Sequence, residues 1–212
     1  MYRLVLFDMD GTLLNGRTIF HLAEKKRFRE ELEDIIHSDM QPYEKTIDIA
    51  CLLKGLGKKE ILDCFHEISF RDYVPDVIDS LKQKGCIIAL ATDSYDIVAD
   101  DMKKRLGLDY AFANTLKFQG GICNGEVILH NKSYVVDDVT GRIYSIAKSS
   151  ILEILAKENN IPLSECIAVG DGIVDCGMLT HAGLGIAVFA SAAVKKCADI
   201  HTNDLREILR YV

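Results

Sequence analysis

The sequence predicts an α/β fold, a parallel sheet covered by helices with a small helical lid inserted after the first strand. Unbroken apolar runs recur at Leu4-Val5-Leu6-Phe7, Cys86-Ile87-Ile88-Ala89-Leu90-Ala91 and Cys166-Ile167-Ala168-Val169, and their lack of alternation marks strands buried on both faces. Amphipathic helical stretches separate the runs. Between the first two lies enough chain for three helices, where a βαβ crossover needs only one.

Residues 18–38 carry Phe20, Ala23, Phe28, Leu32, Ile35 and Ile36 among many charges, an amphipathic helix that tolerates an interruption. Further apolar stripes run over 42–56 and 58–70, parted by Gly55 and Gly57. A helix striped by Val74, Val77, Ile78 and Leu81 ends near Gly85 and leads into the second strand, which closes at Thr92-Asp93-Ser94. The helix over 96–106 is stopped by Gly107, and Tyr110-Ala111-Phe112-Ala113 reads as a short strand. Residues 115–144 alternate and are rich in glycine, the pattern of one or two hairpins. Lys148 opens a helix that ends near Asn159-Asn160, ahead of the strand 166–169. A helix over 175–181, a strand over 185–188 and a final helix from about Asp204 complete the reading.

With 49% hydrophobic residues, a chain of 212 can bury a sizeable core. Its net charge of -7 argues against a nucleic-acid backbone as partner. No apolar run approaches the roughly 20 residues of a membrane helix, and the strand at the start leaves no space for a signal peptide. Seven scattered cysteines without a C-x-x-C pair suit a reducing cytoplasm better than a disulfide framework or a zinc site.

The chemistry concentrates at Asp8-Met9-Asp10-Gly11-Thr12, where the first strand stops. Ligands bind at the carboxyl ends of strands in open α/β sheets, and side chains at i and i+2 of an extended segment project alike. Asp8 and Asp10 are therefore aimed at one spot. Alone, Asp-x-Asp-Gly is ordinary turn chemistry. However, Gly170-Asp171-Gly172 also follows an apolar run, and each pair of converging carboxylates repels by roughly 4 kcal/mol at an effective dielectric of 20. A cation resolves the conflict. Thr92, Lys148 and Asp175 fall at neighbouring element ends, completing what phosphoryl transfer to a carboxylate requires: a nucleophile, an ammonium and oxygen ligands for a divalent ion. An all-oxygen ligand set favours Mg2+ over zinc.

These motifs, in this order, resemble the haloacid dehalogenase-like (HAD) superfamily and, within it, the phosphoserine phosphatase-like branch. The resemblance implies a Rossmann-like core over 1–14 and 73–212 with a helical cap over 15–72. It implies that Asp8 is the nucleophile and becomes an aspartyl phosphate, while Asp10 protonates the leaving alkoxide and then activates water. Asp8, the Asp10 carbonyl and Asp171 would hold Mg2+, supported by Asp175. Thr92 and the adjoining Asp93 would bind the phosphate, and Lys148 would offset its charge.

Departures from the branch bear on the substrate. Asp93-Ser94 stand where the branch has Gly-Gly, Val174 where it has Asn before the last Asp, and Arg17 where a Glu grips the substrate ammonium. The position at which the branch has a cap arginine for the substrate carboxylate falls near Asp48 to Ala50, where this chain has no arginine. The expectation is therefore a Mg2+-dependent phosphomonoesterase for a small-molecule phosphate other than phosphoserine. Arg17 would select a further anionic group. A phosphotransferase using the same intermediate, and a catalytically weak regulatory or binding relative, remain the alternatives. Oligomeric state is not readable from the sequence.

Overall fold

The computed structural model describes residues 1–212. It contains β1 (Leu4–Phe7), α1 (Thr18–Lys26), α2 (Arg29–His37), α3 (Pro42–Leu52), α4 (Lys58–His66), α5 (Val74–Gln83), β2 (Ile87–Tyr95) and α6 (Asp96–Leu106). Then follow β3 (Tyr110–Gln119), β4 (Ile122–Ile128), α7 (Lys148–Glu158), β5 (Cys166–Gly170), α8 (Cys176–His181), β6 (Leu184–Val188), α9 (Ala192–Lys195) and β7 (Ile200–Thr202). The strands form one seven-stranded sheet in the order β4-β3-β2-β1-β5-β6-β7. Only the β3–β4 pair is antiparallel.

β1 sits at the centre of the sheet, and alternation along it divides the core. Val5 and Phe7 pack in the cluster that includes Val77, Ile78 and Leu81 of α5 and Met102 of α6. Leu4 and Leu6 pack with Ile151, Leu152 and Leu155 of α7 and Leu179 of α8. Burying each such side chain contributes about 1.5–3 kcal/mol. The predicted α/β architecture is the one observed, and it brings the ends of β1, β2 and β5 side by side.

The stripe over 18–38 is broken. α1 stops at Arg27, whose φ of 62° is left-handed and whose N–H reaches Ala23 O, and α2 begins after Phe28. α3 and α4 end short of the predicted 56 and 70, at Leu52 and His66. Each starts with a glutamate side chain accepting a backbone N–H, Glu44 from Gln41 at 2.8 Å and Glu60 from Gly57 at 3.2 Å. β3 runs past Ala113 to Gln119 because β4 pairs with it, turning at Gly120-Gly121. The rest of the glycine-rich stretch makes only an isolated bridge, Val136 to Ile143. The final helix is a 3-10 helix, Leu205–Arg210. Neither α9 nor β7 was anticipated.

The cysteines also depart from expectation. Cys176 at the start of α8 and Cys197 beyond α9 form a disulfide, with Cα atoms 5.3 Å apart; the other five are free. Twenty-one positions separate the pair, so the fold brings together what sequence spacing keeps apart. No helix is long and apolar enough to cross a membrane.

Candidate active site

The structure collects Asp8, Asp10, Arg17, Asp93, Asp171 and Asp175 around one cleft of about 190 Å³, closed on the other side by Ile19, Phe20, Ile36 and Ile49 from α1–α3. Two larger cavities, of about 270 and 340 Å³, contain none of these carboxylates, so size does not locate the chemistry.

Asp8 leaves β1 buried, 4% exposed. Lys148, at the first turn of α7 and 2% exposed, donates to Asp8 Oδ1 at 2.5 Å and to Asp175 Oδ1 at 2.6 Å. An exposed helix-start lysine is thereby excluded. Burial alone would strip the charge from this ammonium; Asp175 and Asp8 outweigh it and raise its pKa. Burial also raises the Asp175 carboxyl, to about 7. Yet Asp175 accepts every hydrogen bond it makes, from Lys148 and from the N–H groups of Asp171 and Gly172 at 3.0 and 2.8 Å. Those donors demand a carboxylate. Its oxygens so occupied, Asp175 is a support for the 171–172 turn rather than an open ligand. The turn is tight: a Cβ on Gly170 would fall 2.5 Å from the Asp175 carboxyl.

Asp171 accepts the Thr12 hydroxyl at 3.0 Å through Oδ1, while Oδ2 lies 3.8 Å from Arg17 Nη2. Burial and the nearby Asp8 raise its pKa to about 6, against the opposing pull of Arg17. Oxygens of Asp8, Asp171 and Asp175 lie within 4.8 Å of one another. An all-carboxylate set at that spacing fits a hard divalent cation. Gly11 makes space for the Asp171 carboxylate, since a Cβ there would meet its Oδ2 at 2.4 Å.

Asp10 does not join this cluster through its side chain. Its Oδ1 accepts the backbone N–H of Thr18 at 2.8 Å and the Thr18 hydroxyl at 2.7 Å, so the opening turn of α1 holds it. Burial, with smaller contributions from Asp8 and Asp93, overrides those two bonds and raises its pKa to about 7. The raised value favours the neutral acid in the folded chain. Stability linked to that proton is full below the unfolded value of 3.8 and is lost as pH rises through 7. Asp10→Asn, which cannot ionise, is expected to gain about 2 kcal/mol on the wild type between pH 5 and pH 8 without metal. Urea unfolding at the two pH values measures it; an equal difference at both refutes the shift.

Thr92 is fully buried within β2, which runs on to Tyr95 instead of closing at 92–94, and its hydroxyl oxygen accepts the Ser94 N–H at 3.2 Å. It is absent from the residues lining the cleft, whereas exposed Asp93 is present. Arg17 faces the cleft, and Asp93 and Asp171 raise its pKa although burial opposes them. Asn114 of β3 escaped the sequence reading. Fully buried, its amide donates to the carbonyls of Asp93 and Ser94 at 2.8 and 3.3 Å and to Ser145 Oγ at 3.0 Å. It pins the 93–94 stretch of β2, where the register with β3 shifts. A single Asn in a strand gives no sequence signal of such a role.

A parallel sheet with paired acids at the end of its central strand, a buried lysine and a third acidic turn defines a class of hydrolase. The family model for haloacid dehalogenase-like hydrolases matches residues 2–183, and the chain belongs to that family, in its phosphoserine phosphatase-like branch. As an enzyme it is a phosphatase of the HAD type. It is 36% identical to the phosphoserine phosphatase of Methanocaldococcus jannaschii over 99% of this chain and 97% of that protein. Against that of Lactococcus lactis the identity is 30%, over 99% and 94%. A substrate-bound phosphoserine phosphatase complex superposes with a TM-score of 0.85 at 33% identity, covering 100% of this chain and 99% of the other. A phospho-aspartyl intermediate analogue of phosphoserine phosphatase gives 0.84 at 34%, with the same coverage.

Proposed function

We propose that the protein is a Mg2+-dependent phosphomonoester hydrolase that acts on a small-molecule phosphate through an aspartyl phosphate on Asp8. The observation that carries this reading is the contact of Lys148 with both Asp8 and Asp175 beside Asp171. Asp8, the Asp10 carbonyl and Asp171 would hold the Mg2+, which supplies positive charge to the phosphate dianion and orients it. Lys148 fixes one oxygen of Asp8, leaving the other to attack phosphorus. As the new O–P bond forms and the ester P–O bond breaks, Asp10 gives its proton to the departing alkoxide. Asp10 then takes a proton from water, which attacks phosphorus, releases phosphate and restores the Asp8 carboxylate. A pKa near 7 suits both roles. The 93–94 stretch of β2, with Thr92 buried beneath it, would receive the phosphate, and residues 15–72 act as the cap over it.

Named relatives act on phosphoserine; the preference proposed for this chain differs. Arg17 and Asp93 at the cleft alter its charge pattern, with a guanidinium placed to meet a carboxylate or second phosphate on the substrate. Arg17→Ala is expected to lower kcat/KM about tenfold for esters carrying that extra anion and to spare p-nitrophenyl phosphate. An unchanged preference across the panel refutes the role. The five unpaired cysteines support a cytoplasmic setting, while the Cys176–Cys197 pair pulls the other way.

The test is a phosphate-ester screen with and without Mg2+, scoring both released phosphate and phosphorylated acceptor alcohols. Steady Mg2+-dependent release supports a hydrolase. Transfer to an acceptor, or labelling of Asp8 without turnover, refutes it.

A further inference from the structure

Arg71 lies outside the cleft, on the segment that returns from α4 to the core, and ties three parts of the chain together. Its backbone N–H donates to Leu13 O at 2.9 Å, and its side-chain Nε donates to Gly11 O at 3.1 Å. The guanidinium also sits over the Phe189 ring, 3.9 Å from the centroid. Phe189 follows β6 with a φ of 51°, a left-handed conformation that a bulky residue rarely adopts. Such a backbone persists where its surroundings over-determine it. Here the Phe189 N–H donates to Thr202 O at 3.1 Å, and the ring carries Arg71.

The other end of this chain of contacts is the Asp171 carboxylate. Gly11 forms a bare wall against it, with no space for a Cβ. The next residue, Thr12, donates its hydroxyl to Asp171 Oδ1 at 3.0 Å. A shift of the Gly11 carbonyl therefore moves both the wall and the donor that fix Asp171.

We propose that Arg71 is a positioning residue for the metal site, holding Gly11 and Thr12 against Asp171 so that the cap's return segment sets how firmly this carboxylate grips Mg2+. The inference rests on the Mg2+ site proposed above. A guanidinium suits the task because it donates in its plane while presenting a face to an aromatic ring. A lysine ammonium does one or the other.

Isothermal titration of MgCl2 into the full chain tests this, with urea unfolding run in parallel on Arg71→Ala, Arg71→Lys and Phe189→Leu. Arg71→Ala is expected to weaken Mg2+ binding about fivefold and Phe189→Leu about twofold, with lysine restoring only part of the loss. A lowered unfolding midpoint with unchanged Mg2+ affinity overturns the proposal, because a merely structural arginine would behave so. Should Arg71→Ala not fold, Phe189→Leu decides alone, and unchanged affinity there overturns it. Failure of the wild type to bind Mg2+ overturns both this inference and the proposed function; unchanged binding in folded variants overturns this inference only.

Discussion

Asp8→Asn is expected to lower phosphate release from every accepted ester by about 10⁴-fold, with no phosphoenzyme trapped on acid quenching. An amide nitrogen or carbonyl oxygen is a far poorer nucleophile than a carboxylate, and three of the other acids at the cleft are already engaged. Asp10 is held by Thr18. Asp175 is engaged by Lys148 and two backbone N–H groups. Asp171 shares one oxygen with Thr12. The variant keeps size and shape at a site that is 4% exposed, so loss of activity with an unchanged unfolding curve isolates the chemistry. Activity within tenfold of the wild type would rule out covalent catalysis at this position.

Lys148→Met is expected to remove activity and to destabilise the chain by about 3–5 kcal/mol. The lysine is the direct partner of two carboxylates and is itself 2% exposed; without it, Asp8 and Asp175 face each other in the interior. The sign of the pH dependence follows. Lys148 has a raised pKa in the folded state, so it stays charged from pH 5 to 8 in both states and adds no slope there. The deserted Asp175 does add one, because losing Lys148 removes the charge that opposes its upward shift, and proton uptake relieves the repulsion at low pH. The deficit in metal-free urea unfolding should therefore be smaller at pH 5 than at pH 8. Adding Asp175→Asn should recover part of it, and strict additivity of the two substitutions would argue against the pairing.

The sheet was legible because its strands are continuous apolar runs, a signal that depends on burial alone. The acids at their ends were legible because repulsion among them demands an explanation. Side-chain partnerships were less so. Asp175 could be recognised as an acid near the site, but its bonds to the 171–172 turn follow from a bend that no spacing rule encodes. Asn114 and Arg71 act through backbone carbonyls, Asp93–Ser94 and Gly11 respectively, and any polar residue looks alike in that respect. Thr92 shows a further limit: the sequence places it where the second strand closes, whereas β2 runs on to Tyr95 and the Thr92 hydroxyl accepts from Ser94. Elements such as β7, Ile200–Thr202, carry too few residues for a period to emerge.

The central place of β1 has a kinetic corollary. Leu4 pairs with Ile87 on one side and with Cys166 on the other, so the strand that leads into Asp8 finds its neighbours only after two long loops have closed. Such distant pairings make for slow assembly. During it, the apolar Leu4–Phe7 edge stays exposed to other chains. Refolding yield should fall with rising protein concentration, as aggregation competes with closure of those loops.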